Sequence, residues 1–226
     1  MSALRAFLRV AWSEASVDWR PLILSLIGVA LGLISQLYLG RFVDAAPHPQ
    51  LASSYSAFLI VGLALLELQS SLVGGLALRV REAQRSGALE LFLATPISVP
   101  ALLTGLVAYD AIFAGLRLVG YLLVGVVLFS VPLQSAYWPT VLGAIGLASV
   151  AFVGLALLGT AFTLELRRSD PLSMIVGALS IIAGDVLYPS TVLPRFAQAI
   201  GELLPLRPAL TALRGGLSGE VCAAAL

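Results

Sequence analysis

Residues 139–164, PTVLGAIGLASVAFVGLALLGTAFTL, run for 26 positions without a charged side chain. As a helix this stretch is about 39 Å long at 1.5 Å per residue, more than the roughly 30 Å of bilayer hydrocarbon. It reads as a transmembrane span, and its flanks fit. On one side ELRRSDP, 165–171, makes a short charged turn. On the other, VPLQSAYW, 131–138, is a short loop with aromatic residues at the membrane boundary.

Further apolar runs lie to either side. Residues 171–187 predict a fifth span and 101–130 a third. Residues 56–78 predict a second span and 21–43 a first, with Pro21 at the favoured first helical position. Gly28 and Gly32 form a GxxxG pattern. It permits close helix approach, or is chance in a glycine-rich chain. Before Pro21, the residues Leu4, Phe7, Leu8, Ala11, Trp12 and Ala15 recur at helical spacing, with Arg5, Arg9 and Ser16 on other faces. Residues 1–20 therefore read as an amphipathic helix in the membrane interface, or as a solvated helix packed on protein. After Tyr188 the pattern changes to short helices punctuated by Pro189, Pro194 and Pro205. They are too short to span, and residues 188–215 predict an outer re-entrant or interfacial hairpin.

Composition agrees. The 226 residues are 59% hydrophobic and 11% charged, against about 25% charged for a soluble domain. Mean hydropathy is +1.01. A soluble enzyme is excluded, and a net charge of +1 gives no field to hold nucleic acid. All 13 cationic residues are arginine. Without lysine there is no Walker A motif, no Schiff base and no Ser/Lys dyad. His48 and Cys222 are the only residues of their kinds, which leaves zinc without a ligand set. The chain offers no motif of an enzyme and no site for a cofactor.

Arginine placement sets the orientation. With the N-terminus inside, Arg5, Arg9, Arg20, Arg79, Arg81, Arg85, Arg167 and Arg168 are cytoplasmic. Arg41, Arg195, Arg207 and Arg214 are outside, and Arg117 is within a span. Eight against four supports a cytoplasmic N-terminus.

Two groups of residues could carry chemistry. Glu67, Asp110 and Arg117 lie inside predicted spans, where a lone charge costs roughly 2.5–3.5 kcal/mol. Each needs a partner or water. They read as a structural ion cluster, with a polar path or proton relay as the sharper alternative. Asp185, near the outer end of the fifth span, could cap the following helix or line an outer gate. The second group is cytoplasmic, in the segment 79–100. There Glu82 and Arg85 have helical spacing, and Leu89, Phe92 and Leu93 make an apolar face. Gly87 allows a bend before that face, and Pro96 ends it.

Two stretches carry a resemblance to a known family. One is Glu82-x-x-Arg85-x-Gly87-x-Leu89-Glu90, continuing to Thr95-Pro96-x-Ser98. The other is Pro189-x-x-x-Leu193-Pro194, then Leu204-Pro205-Leu206 and Leu213-Arg214. The chain resembles the membrane subunits of type-2 ABC exporters, with the first stretch like the family's coupling segment and the second like its outer hairpin. Short loops and no large outer domain look more like the drug-exporter branch. The resemblance implies an all-α polytopic fold in the plasma or inner membrane, forming one transmembrane domain over 1–226. It implies an interfacial N-terminal helix, five full spans and an outer re-entrant hairpin. The family's sixth span is absent or truncated, since 218–226 is too short to cross. It also implies a homodimer with two cytoplasmic ATPase subunits, which bind the ATP and Mg. The coupling residues would be Glu82, Arg85, Gly87, Leu89, Glu90, Phe92 and Leu93, and the cargo a drug, lipid or lipid-linked glycan. The alternatives are an ion-coupled carrier using Glu67, Asp110 and Arg117, or a non-transporting scaffold.

Overall fold

The computed structural model describes residues 32, 34, 55–85, 87, 99–129, 136–166, 171–189 and 193–218. The predicted interfacial helix lies outside the described residues. So does the first span, apart from Gly32 and Ile34, which are helical and exposed. Every described element is a helix: α1 (Tyr55–Arg85), α2 (Val99–Phe129), α3 (Trp138–Leu166), α4 (Pro171–Ala183), α5 (Arg195–Leu203) and α6 (Leu206–Leu217). Three of these, α1, α2 and α3, are long and apolar enough to cross a membrane.

The centre of the packing is α1. Within its apolar stretch 61% is buried, against 28% for α2 and for α3. It contributes Ile60, Ala64, Leu65, Leu68, Leu72 and Val73 to the main core. Ala114, Leu118 and Tyr121 of α2 meet it from one side, and Val141, Ala144, Ala148 and Phe152 of α3 from another. The α3 positions are three or four apart, so they form one helical stripe. The small side chains of Ala144 and Ala148 let the helix axes come close.

Hydropathy placed the end of the second span near residue 78, but α1 runs on unbroken to Arg85. No residue from 79 to 85 is a helix breaker, so propensity carries the helix past the apolar run. Just beyond, Gly87 takes φ +73°, a left-handed conformation that glycine adopts without steric cost. Residues 79–85 thus continue α1, and the left-handed Gly87 lies where the sequence predicts a bend.

A second departure concerns the fifth span. Its helix, α4, has only 13 residues, about 20 Å. The Gly184 N–H still donates to Ser180 O at 3.0 Å, and there the helix stops. Asp185 has φ 59°, in the left-handed region that aspartate tolerates better than most residues. The chain then continues without helix through Val186, Leu187 and Tyr188. The apolar pattern through Leu187 hid this break.

The two short helices form a hairpin. Pro194 and Pro205 occupy their N-cap positions, where a missing N–H leaves no helix bond unmade. The α6 helix runs antiparallel to α3. At one end Gly216 packs on Val141, and the Tyr137 N–H donates to Gly216 O at 2.8 Å. At the other, Pro205, Pro208 and Ala209 border a shallow apolar hollow with Ala144, Ala148 and Ala151. The α5–α6 turn therefore sits beside the middle of α3.

Close backbone contact fixes α1 against the non-helical stretch. A Cβ on Gly62 would lie 2.7 Å from Val186 O and 3.2 Å from Arg214 Nη2. Gly62→Ala is expected to lose about 1–3 kcal/mol through this overlap. Thermal unfolding of detergent-solubilised protein measures it. Gly74→Ala is the control, because among the described residues no atom lies within 4 Å of its Cβ position.

Candidate functional site

Glu67 and Arg117 meet at mid-helix. Arg117 Nη1 donates to Glu67 Oε1 at 3.0 Å and to Ser71 Oγ at 3.0 Å. The Ser71 hydroxyl also donates to Glu67 Oε1, at 3.2 Å. Ser71 follows Glu67 by one helical turn on α1, so one serine can serve both members of the pair. Two residues along α1, Gln69 and Ser180 exchange two buried hydrogen bonds, at 2.8 and 3.2 Å, and tie α1 to α4.

Asp110 is not part of that cluster. It faces Arg79, whose Nε donates to Asp110 Oδ1 at 2.9 Å. Asp110 lies seven residues, about 10.5 Å, from Arg117 along α2. Because α1 is antiparallel to α2, it brings Arg79 to that height. Sequence reading assigned Arg79 to the cytoplasmic tally and so missed it as a partner. The expected three-residue cluster is two separate ion pairs, and Asp110 Oδ2 is buried with no hydrogen-bond partner among the described residues.

A third group surrounds the non-helical stretch after α4. Arg214 of α6 lies with its guanidinium carbon 3.6 Å from the centre of the Phe58 ring, a cation–π contact. Its Nη2 donates to Asp185 O at 2.9 Å and to Phe58 O at 3.1 Å. The Tyr55 hydroxyl donates to Leu187 O at 2.5 Å. Side chains thus replace the helix bonds that this backbone has given up. The Asp185 carboxylate reaches towards Arg207, with Oδ2 3.8 Å from Nε. It does not cap α5, which begins at Pro194 with no side-chain cap. Arg207 also donates to Gln198 O at 2.8 Å, joining the two arms of the hairpin.

Asp185 therefore has two roles, a left-handed backbone and a charge beside Arg207. Asp185→Asn keeps the first and loses the second; Asp185→Ala loses both. The alanine variant is expected to lose about 1–2 kcal/mol more than the asparagine variant. A paired thermal-unfolding measurement checks the order.

Of the coupling residues, Glu82 and Arg85 lie exposed on the last turn of α1, followed by exposed Gly87. Leu89, Glu90, Phe92 and Leu93 lie outside the described residues. Pro189 sits half-buried at the end of the non-helical stretch, and Pro194 and Pro205 start α5 and α6. Sequence reading missed Ser71 as a bridging hydroxyl, Tyr55 as a donor, and Arg214 as more than part of a motif. The signal for Ser71 was its spacing from Glu67. The signal for Arg214 was a lone cation among Leu213, Gly215 and Gly216. Among the described residues no three His, Cys, Asp or Glu side chains gather as a metal site.

The three groups hold helices and backbone in place; none presents an acid, base or nucleophile aimed into a pocket. No protein-family model matches the chain, and neither does any curated protein.

Proposed function

We propose that this chain is the membrane subunit of a type-2 ABC exporter, giving half of a path for an amphipathic cargo, while a separate cytoplasmic subunit hydrolyses ATP. The reading places α1, α2 and α3 across the plasma or inner membrane with the N-terminus inside. The first span and the interrupted α4 make five crossings. The observation that carries it is the α5–α6 hairpin, whose turn lies beside the middle of α3. In a bilayer that hairpin enters from the outer face and returns, as the resemblance in the Pro189–Arg214 stretch implies. The non-helical backbone beside it is tolerable at membrane depth because Arg214 and Tyr55 satisfy its carbonyls. At the inner end, α1 leads without interruption from the spans to Glu82 and Arg85.

The ion-coupled carrier has less support. Glu67 and Asp110 each face their own arginine in separate pairs, so neither hands a proton to the other.

The test is co-purification of the full chain with a cytoplasmic ATPase subunit and an assay for cargo-stimulated ATP hydrolysis. Glu90→Arg combined with Leu89→Asp is expected to insert normally and to abolish stimulation. Unchanged stimulation and export in that double variant would sink the coupling assignment.

A further inference from the structure

We propose that α1 enters the membrane only together with α2, and that the Glu67–Arg117 and Arg79–Asp110 pairs are the device that couples their insertion. The placement of α1 is then decided by side chains that lie later in the chain. The proposal takes its sidedness from the orientation given above and needs nothing else of the exporter reading.

The three long helices are unequal as spans. The middle of α3 has no charged residue from 139 to 164, so it can enter lipid unaided. At the centre of α1 stand Glu67, Gln69, Ser70 and Ser71, and α2 carries both Asp110 and Arg117 within its apolar stretch Gly105–Val127. On insertion scales one lone charge at a helix centre disfavours the membrane by on the order of a hundredfold. Alone, α1 and α2 are each poor spans. Side by side, their charges cancel.

The cancellation works in one arrangement. Read from the outer end, α1 carries an anion and then a cation, Glu67 and Arg79. Antiparallel α2, read in the same direction, carries a cation and then an anion, Arg117 and Asp110. Both pairs close, at 3.0 and 2.9 Å. Among the described residues Arg117 is the ion-pair partner of Glu67, and the Ser71 hydroxyl donates to the same carboxylate oxygen. Asp110 settles against α1 at Gly75, where a Cβ would lie 3.1 Å from Oδ2. The missing side chain there lets the carboxylate reach α1 one turn before Arg79. A parallel neighbour, or one without charges, would leave both anions unpaired. Two helices that are neutral only as a pair suit hydrocarbon only when both are present.

The experiment uses the full chain in intact cells, with Cys222→Ser to remove the native thiol and Ser86→Cys as a reporter just past the end of α1. A membrane-impermeant maleimide is applied to pulse-labelled chains before and after permeabilisation. With the charges unaltered, the thiol is expected to react only after permeabilisation. Arg117→Leu makes α2 more apolar, so a failure of insertion must arise in α1. The variant is expected to raise the ratio of outside to inside thiol at least about tenfold, the part of the lone-charge penalty left while Ser71 still donates to Glu67. Adding Glu67→Leu, or exchanging the charges as Glu67→Arg with Arg117→Glu, should return the thiol to the inside. A thiol that stays inside in Arg117→Leu shows that α1 enters by itself and overturns the proposal. So does an outside thiol that neither second substitution returns, because its cause is then not the unpaired charge. If the unaltered chain already reacts from outside, the orientation is reversed, and the same variants are expected to lose that reaction. Neither cargo nor ATPase subunit takes part, so the exporter reading stands or falls by its own test.

Discussion

Arg214→Leu is expected to lose roughly 3–5 kcal/mol, combining an unpaired Asp185 carbonyl with the lost cation–π contact on Phe58. The carbonyl matters most. Asp185 lies beyond the end of α4 and has no helical turn to accept from, whereas Phe58 O lies within α1. Leucine preserves the apolar volume, so the loss reports on the polar head and not on a cavity. Arg214→Lys should fall between wild type and leucine. An ammonium keeps the charge and can donate to both carbonyls as Nη2 does, but it has no planar face to lay on the Phe58 ring. The measurement is thermal unfolding in detergent or nanodiscs. A loss below about 1 kcal/mol for leucine would mean that the stretch after α4 is held by packing alone.

The second large effect belongs to the mid-helix pair. Arg117→Leu leaves Glu67 as an uncompensated charge at membrane depth, and is expected to cost about 2.5–3.5 kcal/mol. Glu67→Leu strands Arg117 in the same way. Removing both should be milder than either alone, because no charge is left to stabilise. A double-mutant cycle should give a coupling of about 2 kcal/mol or more. Losses that simply add would show that the two side chains do not depend on each other. Ser71→Ala tests the bridge separately, with an expected cost near 1 kcal/mol for one hydroxyl that serves both partners.

The long helices were legible in the sequence because their signal is redundant. Twenty-six uncharged residues in 139–164 leave no competing reading, and α3 spans Trp138–Leu166. Helix ends were less legible, for two different reasons. At Arg85 the apolar signal stops before the helix does, because hydropathy follows the solvent and not the backbone. At Ala183 the reverse holds: apolar residues continue while the backbone turns at Gly184 and Asp185. The ion pairs show the same limit. Glu67 and Arg117 could be matched by depth. Asp110 could not be matched to Arg79 until α1 was known to extend beyond its apolar run. Arg214 was legible only as a motif position. Its role depends on a backbone break that leaves carbonyls for it to bind.

The unbroken length of α1 has a mechanical consequence. Its 31 residues contain no proline and make a rod of about 46 Å. One end is gripped at Phe58 by Arg214 of α6 and at Gly62 by the stretch after α4, and the other carries Glu82 and Arg85. Pivoting by about 10° at Gly62 would sweep the far tip, about 35 Å further along the helix, through roughly 6 Å, a little more than the 5.4 Å pitch of one helical turn. Because no joint interrupts the rod, small angular play at one terminus becomes a large linear stroke at the other, and the same leverage acts in reverse.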